Sequence, residues 1–237
     1  MTDKINVEEI EILYEDADTL VVDKPSGMLS EASEKTPSVI NALLSHVQNG
    51  FLSPITRLDR EVSGVMLLAK TQKGAAYYSA QMADRTHFQK EYLAVITGCM
   101  DEKGGELRDL LFKDSSKNKS FVVKRMRRGV KEASLAYDVM EEQESGDAAV
   151  SLVHVVLHTG RTHQIRVQFS SRRHPLVGDR KYGGGESSPI GLLSHRLTFR
   201  TVKGKSVTCV SRGISRSPFD RFSCLFNEKS EKSTENT

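Results

Sequence analysis

Three polar blocks interrupt an otherwise apolar pattern, and each carries residues that could do chemistry. Residues 56–64 (TRLDREVSG) set one carboxylate, Asp59, between Arg57 and Arg60. A guanidinium beside a carboxylate favours its ionised form, and an ionised carboxylate can act as a covalent nucleophile. The same composition also suits a loop-capping Asp in a surface ion pair, and on this block alone that plainer use is the stronger reading. Residues 89–98 (QKEYLAVITG) carry Tyr92 in a strand-like run. It is either a buried strand aromatic or a ring on which a base stacks, and core packing is the commoner use. Residues 158–169 (HTGRTHQIRVQF) carry His163 and Arg166. His163 reads first as a core histidine with its hydrogen bonds satisfied. Arg166 needs a partner, because a buried guanidinium without one is very costly, and Asp59 is a candidate.

Other chemistries find little support. The run Gly183, Gly184, Gly185 lacks the Lys-Ser/Thr of a phosphate-binding loop. Neither HExxH nor GxSxG occurs. Cys99, Cys209 and Cys224 are odd in number and lack zinc-ligand spacing, so they read as reduced thiols. No apolar run approaches the roughly 20 residues of a membrane span. The N-terminus, MTDKINVEEIEILYED, is too acidic for a signal or transit peptide, so a cytoplasmic location is expected.

Charge gives a further lead. The net charge is only +3, but residues 117–131 hold seven basic side chains and no acid. Residues 161–181 hold six basic side chains against Asp179 alone. A phosphate backbone selects such clusters, because each neutralised phosphate releases counterions. A solvated basic loop accounts for them equally well.

Elements must hold these blocks in place. Residues 10–23 read as two strands around a turn. Thr36 and Pro37 suit the start of a helix that ends before Gly50, with Ile40, Leu43, Leu44 and Val47 on one face. Residues 65–69 (VMLLA) predict a buried strand, and 71–85 a helix weakened by Gly74. Strands are predicted at 91–97, at the alternating Leu135, Tyr137 and Val139, and at 150–157, 192–199 and 206–210. Thr162 suits the cap of a helix running through Arg172. Strands outnumber helices without alternating with them, which predicts an α+β fold with a mixed, largely antiparallel central sheet flanked by helices. One domain over residues 1–226 is expected. The tail at 227–237 (NEKSEKSTENT) has no apolar residue and is expected to be disordered.

In order along the chain, these blocks resemble the RluA family of pseudouridine synthases. VVDKPSGMLS (21–30) looks like the family's opening strand and KPxG turn. TRLDREVSGVMLLAKT (56–71) looks like its HRLDxxTSGLLLLAK signature, with Asp59 at the nucleophile. KEYLAVITG (90–98), LHTGRTHQIRVQFSSRRHPLVGDRKYGG (157–184) and LLSHRLTF (192–199) look like its remaining motifs. The chain departs from the pattern at Thr56, where His is usual, at Val62, where Thr is usual, and at Ser171 and Arg172, where a His-Ala type sequence is usual. The departures bear on substrate choice more than on chemistry. The small N-terminal RNA-binding module of several relatives is not expected, because the first family strand begins near Ile10.

The resemblance implies isomerisation of uridine to pseudouridine in ribosomal or transfer RNA, with the target nucleotide flipped out of its stack. It implies Asp59, Tyr92 and Arg166 as catalytic residues: Asp59 attacks, Tyr92 packs on the uracil and serves the proton step at C5, and Arg166 pairs with Asp59. Arg57 would fill the place of the flipped base, and Ile165 would wall the substrate. Lys124, Arg125, Arg127 and Arg128 would grip RNA phosphates. Structured RNA is the expected partner, with no membrane, no metal and no other cofactor, and a monomer is the default. A catalytically inactive RNA-binding protein of the same fold is the alternative, and a hydrolase using Ser63, His163 and Asp59 is a more distant one.

Overall fold

A computed structural model describes residues 10–48, 50–84, 87–145, 148–185 and 189–227. Of the expected disordered tail, residues 227–237, Asn227 ends a short helix and the rest lies outside the described residues. The chain divides into two compact units, one of Met1–Tyr92 with Leu193–Gly213, the other of Leu93–Leu192 with Ile214–Thr237. Among the described residues no helix is long and apolar enough to cross a membrane.

The first unit is built on β1 (Glu11–Glu15), β2 (Thr19–Lys24), β3 (Ser53–Pro54) and β4 (Ser63–Ala69). Strand β2 runs antiparallel to both β1 and β4. The later strand β10 (Leu192–Arg200) lies parallel to β4, and β11 (Ser206–Val210) pairs antiparallel with β10. That parallel pair makes the sheet mixed. Its inward face carries Val21, Val65, Leu67 and Phe199 against Tyr78 of α2 (Gln72–Asp84). The close approach of β4 to β10 needs glycine: a Cβ on Gly64 would sit 2.2 Å from the Ser194 carbonyl oxygen. The first helix, α1 (Val39–Leu43), starts later than Thr36 and Pro37 suggest. Ser38 caps it, its hydroxyl accepting from the Asn41 N–H.

The second unit continues along β5 (Gln89–Thr97) from Leu93 and adds β6 (Gly104–Asp114), β7 (Lys119–Val123), β8 (Val130–Ser145) and β9 (Ala148–Leu157), in the order β5-β9-β8-β6-β7. Strands β6 and β7 have no counterpart in the sequence expectation. The helix expected from Thr162 to Arg172 is the shorter α3 (Gln164–Ser170). His163, in the left-handed region at φ 53°, makes its N-terminal boundary. A last short helix, α4 (Cys224–Asn227), closes the described chain.

Candidate active site

Asp59 sits on the loop that leads from β3 into β4, and the turn after β2 holds that loop. Ser30, buried, grips both backbone groups of Leu58: its hydroxyl donates to the Leu58 carbonyl (2.8 Å) and accepts from the Leu58 N–H (2.9 Å). On the other side of Asp59, the Arg60 carbonyl accepts from the Gly27 N–H (2.8 Å) and from Lys24 Nζ (3.2 Å). Lys24 is fully buried and also donates to the carbonyls of Pro25 and Met28. Three acceptors match the three N–H donors of an ammonium. Burial pushes Lys24 down to about 7, and the nearby negative charge of Asp59 pulls it back up. The turn after β2, residues 24–30, is therefore a brace for the residues on both sides of Asp59.

Two residues of this loop face opposite ways. Thr56 is buried, and its hydroxyl accepts from the Leu67 N–H at 2.8 Å, stitching the loop to β4. Arg57 projects into solvent, where Nη1 meets a Glu31 carboxylate oxygen at 2.9 Å, both side chains about two-thirds exposed.

Tyr92, the last residue of β5 in the first unit, is 7 % exposed. Burial pushes its hydroxyl up to about 12, a hydrogen bond with Ser194 opposes the rise, and the charge of Asp59 adds to it. At neutral pH the ring therefore carries a neutral phenol. Arg57, Asp59 and Tyr92 thus belong to one unit, and the charge of Asp59 is felt at Tyr92.

Arg166 and Ile165 lie in the second unit, both buried on α3. Arg166 forms a two-pronged ion pair with Asp179, Nε to Oδ2 at 2.7 Å and Nη2 to Oδ1 at 2.8 Å, both side chains buried. The sequence reading missed this partner, although Asp179 is the one acid in an otherwise basic stretch. The turn that carries Asp179 needs a bare backbone, since a Cβ on Gly184 would lie 1.6 Å from the Leu176 carbonyl oxygen. That explains Gly184 in a run that fits no phosphate loop, and its neighbours Gly183 and Gly185 take the left-handed region at φ 95° and 83°. His163 is buried with Nδ1 3.0 Å from the Tyr182 hydroxyl, as expected of a satisfied core histidine.

Lys124, Arg125, Arg127 and Arg128 are all on the connection between β7 and β8, and all four are exposed. Arg127 lies 5.2 Å above the Phe112 ring, and Met126 beside it is 56 % exposed. Of the departing residues, Val62 is buried, and Arg172 pairs with Asp109 at 2.8 Å.

The RNA pseudouridylate synthase family profile matches residues 18–171, about two-thirds of the chain. The chain belongs to this family. Its motif order is that of the RluA type within it. A family protein of Aquifex aeolicus, described as an uncharacterized RNA pseudouridine synthase, is 37% identical over 195 residues, 78% of this chain and 60% of that protein. Ribosomal large subunit pseudouridine synthase D of Yersinia pestis is 35% identical over 188 residues, 77% of this chain and 55% of that protein. The chain thus spans between half and two-thirds of the length of these curated relatives. Two human structures share the fold. RNA pseudouridylate synthase domain containing 1 has a TM-score of 0.74 at 24% identity, over 92% of this chain and 89% of that one. Domain containing 4 has a TM-score of 0.70 at 21% identity, over 85% and 88%.

Proposed function

We propose that the chain isomerises uridine to pseudouridine in ribosomal or transfer RNA, with Asp59 as nucleophile and residues 1–226 as the catalytic domain. The observation that carries this is Asp59 itself. It stands at the nucleophile position of the family motif, on a loop whose backbone is gripped on both sides by buried polar groups. A reacting carboxylate needs that kind of fixed aim, because displacement by about 1 Å can cost on the order of a hundredfold in rate.

The target uridine leaves its stack, at a cost of a few kcal/mol, and Arg57 fills the place it vacates. Asp59 attacks the flipped nucleotide and the bond between N1 and C1′ breaks. The uracil turns and C5 bonds to C1′, and the bond that Asp59 made to the nucleotide breaks and returns the carboxylate. The proton leaves C5 and N1 gains one, so the product is an isomer of the substrate and no redox partner is consumed. Tyr92 packs against the uracil and serves the C5 proton step through a neutral hydroxyl. Arg166 supplies fixed positive charge and Ile165 an apolar wall. The basic connection after β7 grips phosphates. The name of the Yersinia relative makes ribosomal RNA the first substrate to test.

Asp59→Asn and Asp59→Ala should abolish pseudouridine formation in uridine-containing RNA while leaving RNA affinity within about threefold. Persisting turnover in either variant would sink the assignment. Mapping pseudouridines in cellular RNA with and without the gene identifies the substrate.

A further inference from the structure

Tyr182 has no part in the reaction proposed above, yet it joins three elements of the second unit. Its ring is buried with Leu111 of β6, Ala133 of β8 and Val167 of α3. The Arg166 guanidinium lies 5.3 Å from the ring centroid and the Lys119 ammonium 4.8 Å. Its hydroxyl accepts from the Ser120 N–H at 2.8 Å and lies 3.2 Å from the Ser120 carbonyl oxygen and 3.0 Å from His163 Nδ1.

The interactions around it close a ring. Ser120 and Lys119 begin β7, the strand that leads into the basic connection. Besides its bonds to Tyr182, Ser120 donates its hydroxyl to the Thr162 carbonyl at 2.7 Å, and Lys119 Nζ donates to the Lys181 carbonyl at 2.6 Å. On the other side, Asp179 Oδ1 accepts from the N–H groups of Lys181 and Tyr182 as well as from Arg166. The carboxylate that aims Arg166 therefore also fixes the backbone of Tyr182. The start of β7 cannot shift without straining its bonds to Tyr182, Thr162 and Lys181, which flank His163 and Asp179. A packed and hydrogen-bonded arrangement of this kind transmits a displacement rather than absorbing it.

We propose that Tyr182 is a positioning residue that latches the RNA-gripping strand β7 to helix α3, so that the seating of the basic connection on RNA sets the aim of Arg166. The proposal rests on the assignment of Arg166 to the reaction and of the basic connection to RNA. Tyr182 touches no substrate. It acts through the strand on one side of its ring and the guanidinium on the other. The latch is the hydroxyl, and the cushion under Arg166 is the ring, so the two can be separated by one atom.

Tyr182→Phe keeps the ring and removes the hydroxyl. In the free protein, amide hydrogen exchange at 118–121 and at 163–167 should rise together by about tenfold or more, with the β8–β9 hairpin unchanged. A rise confined to one segment, or none, overturns the latch whatever the protein's activity. With RNA, Tyr182→Phe should lower kcat about tenfold at nearly constant KM. In a background where Lys124, Arg125, Arg127 and Arg128 are Ala, the same substitution should lower kcat less than threefold, because the grip it relays is already gone. Equal losses in the two backgrounds would mean that Tyr182 merely supports the fold, and the proposal falls. Arg166→Lys is the control: if it turns over normally, the assignment of Arg166 fails, and the exchange result still decides whether the latch exists.

Discussion

The Lys24 ammonium donates to the carbonyl oxygen of Arg60, one residue beyond Asp59, from a position with no exposure to solvent. Lysine titrates at 10.5 in the absence of these surroundings, and burial takes Lys24 down to about 7 against the pull of Asp59. Between those values the unfolded chain binds more protons than the folded one, so the contribution of this residue to stability rises with pH. The cost of burying the charge is full below about 7 and gone above about 10.5. The melting temperature of the wild type minus that of Lys24→Met should therefore increase when both are scanned from about pH 6.5 to about pH 9.5. A difference that stays flat or shrinks would show that Lys24 is not a depressed, buried ammonium.

Arg57 pairs with Glu31, and that pair predicts a change in binding. Both side chains are largely exposed, and an exposed ion pair contributes about 0–1 kcal/mol. Glu31→Gln should leave the melting temperature within about 2 degrees. It should release Arg57 for RNA, lowering KM about two- to fivefold at constant kcat. Glu34→Gln, which removes the same charge from the same loop, controls for simple repulsion of RNA. Equal effects from the two substitutions would mean that the Glu31 pair is not what restrains Arg57.

The basic connection after β7 makes a quantitative prediction. The slope of log K against log salt falls by about 0.7–0.9 for every phosphate that the protein no longer neutralises. Replacing Lys124, Arg125, Arg127 and Arg128 by Ala should weaken RNA binding and flatten that slope by about 2–4. An unchanged slope would remove this connection from the RNA-binding surface.

These relationships differ in how far they could be seen in the sequence. The unbroken apolar run before Lys70 gives a buried β4, and the alternation at Leu135 and Tyr137 gives the middle of β8. Strand β6 escapes because its outward residues are charged (Glu106, Arg108, Lys113) and only some of its apolar residues are buried, and β7 escapes because it buries the polar Ser120 while Phe121 and Val122 stay exposed, the reverse of an apolar inward face. Helix α1 is misplaced by a few residues because Thr36 and Ser38 offer the same capping hydroxyl. The choice between them follows from Leu29 pairing with Ser38, which no local pattern encodes. Asp59, Tyr92 and Arg166 stand out in the sequence as proposed catalytic residues only through the order of the motifs around them. The groups that brace them were not. Ser30 and Leu58 are 28 residues apart, Lys24 and Arg60 36, and nothing in either segment announces the other.

Asp179 is the case where a missed residue carries the largest expected effect. It meets Arg166 with both oxygens and is fully buried. Removing one partner of a buried ion pair typically costs about 3–5 kcal/mol, because the other charge loses its counterion in a place that water does not reach. Asp179→Ala also takes the acceptor from the N–H groups of Lys181 and Tyr182. It should lower the melting temperature by roughly 10 degrees or more and reduce turnover even at temperatures where the fold persists. Asp179→Asn keeps the shape and an acceptor oxygen while losing the charge, so it should be less destabilised than Asp179→Ala. The decisive comparison is the double variant Arg166→Met with Asp179→Leu, which removes both charges at once. Replacement of a buried pair by apolar residues of similar volume is often near neutral for stability, so the double variant should melt above Asp179→Ala while forming no pseudouridine. A double variant that melts as low as Asp179→Ala would mean that the pair is not the source of the loss. One that melts high and still turns over would detach Arg166 from the reaction.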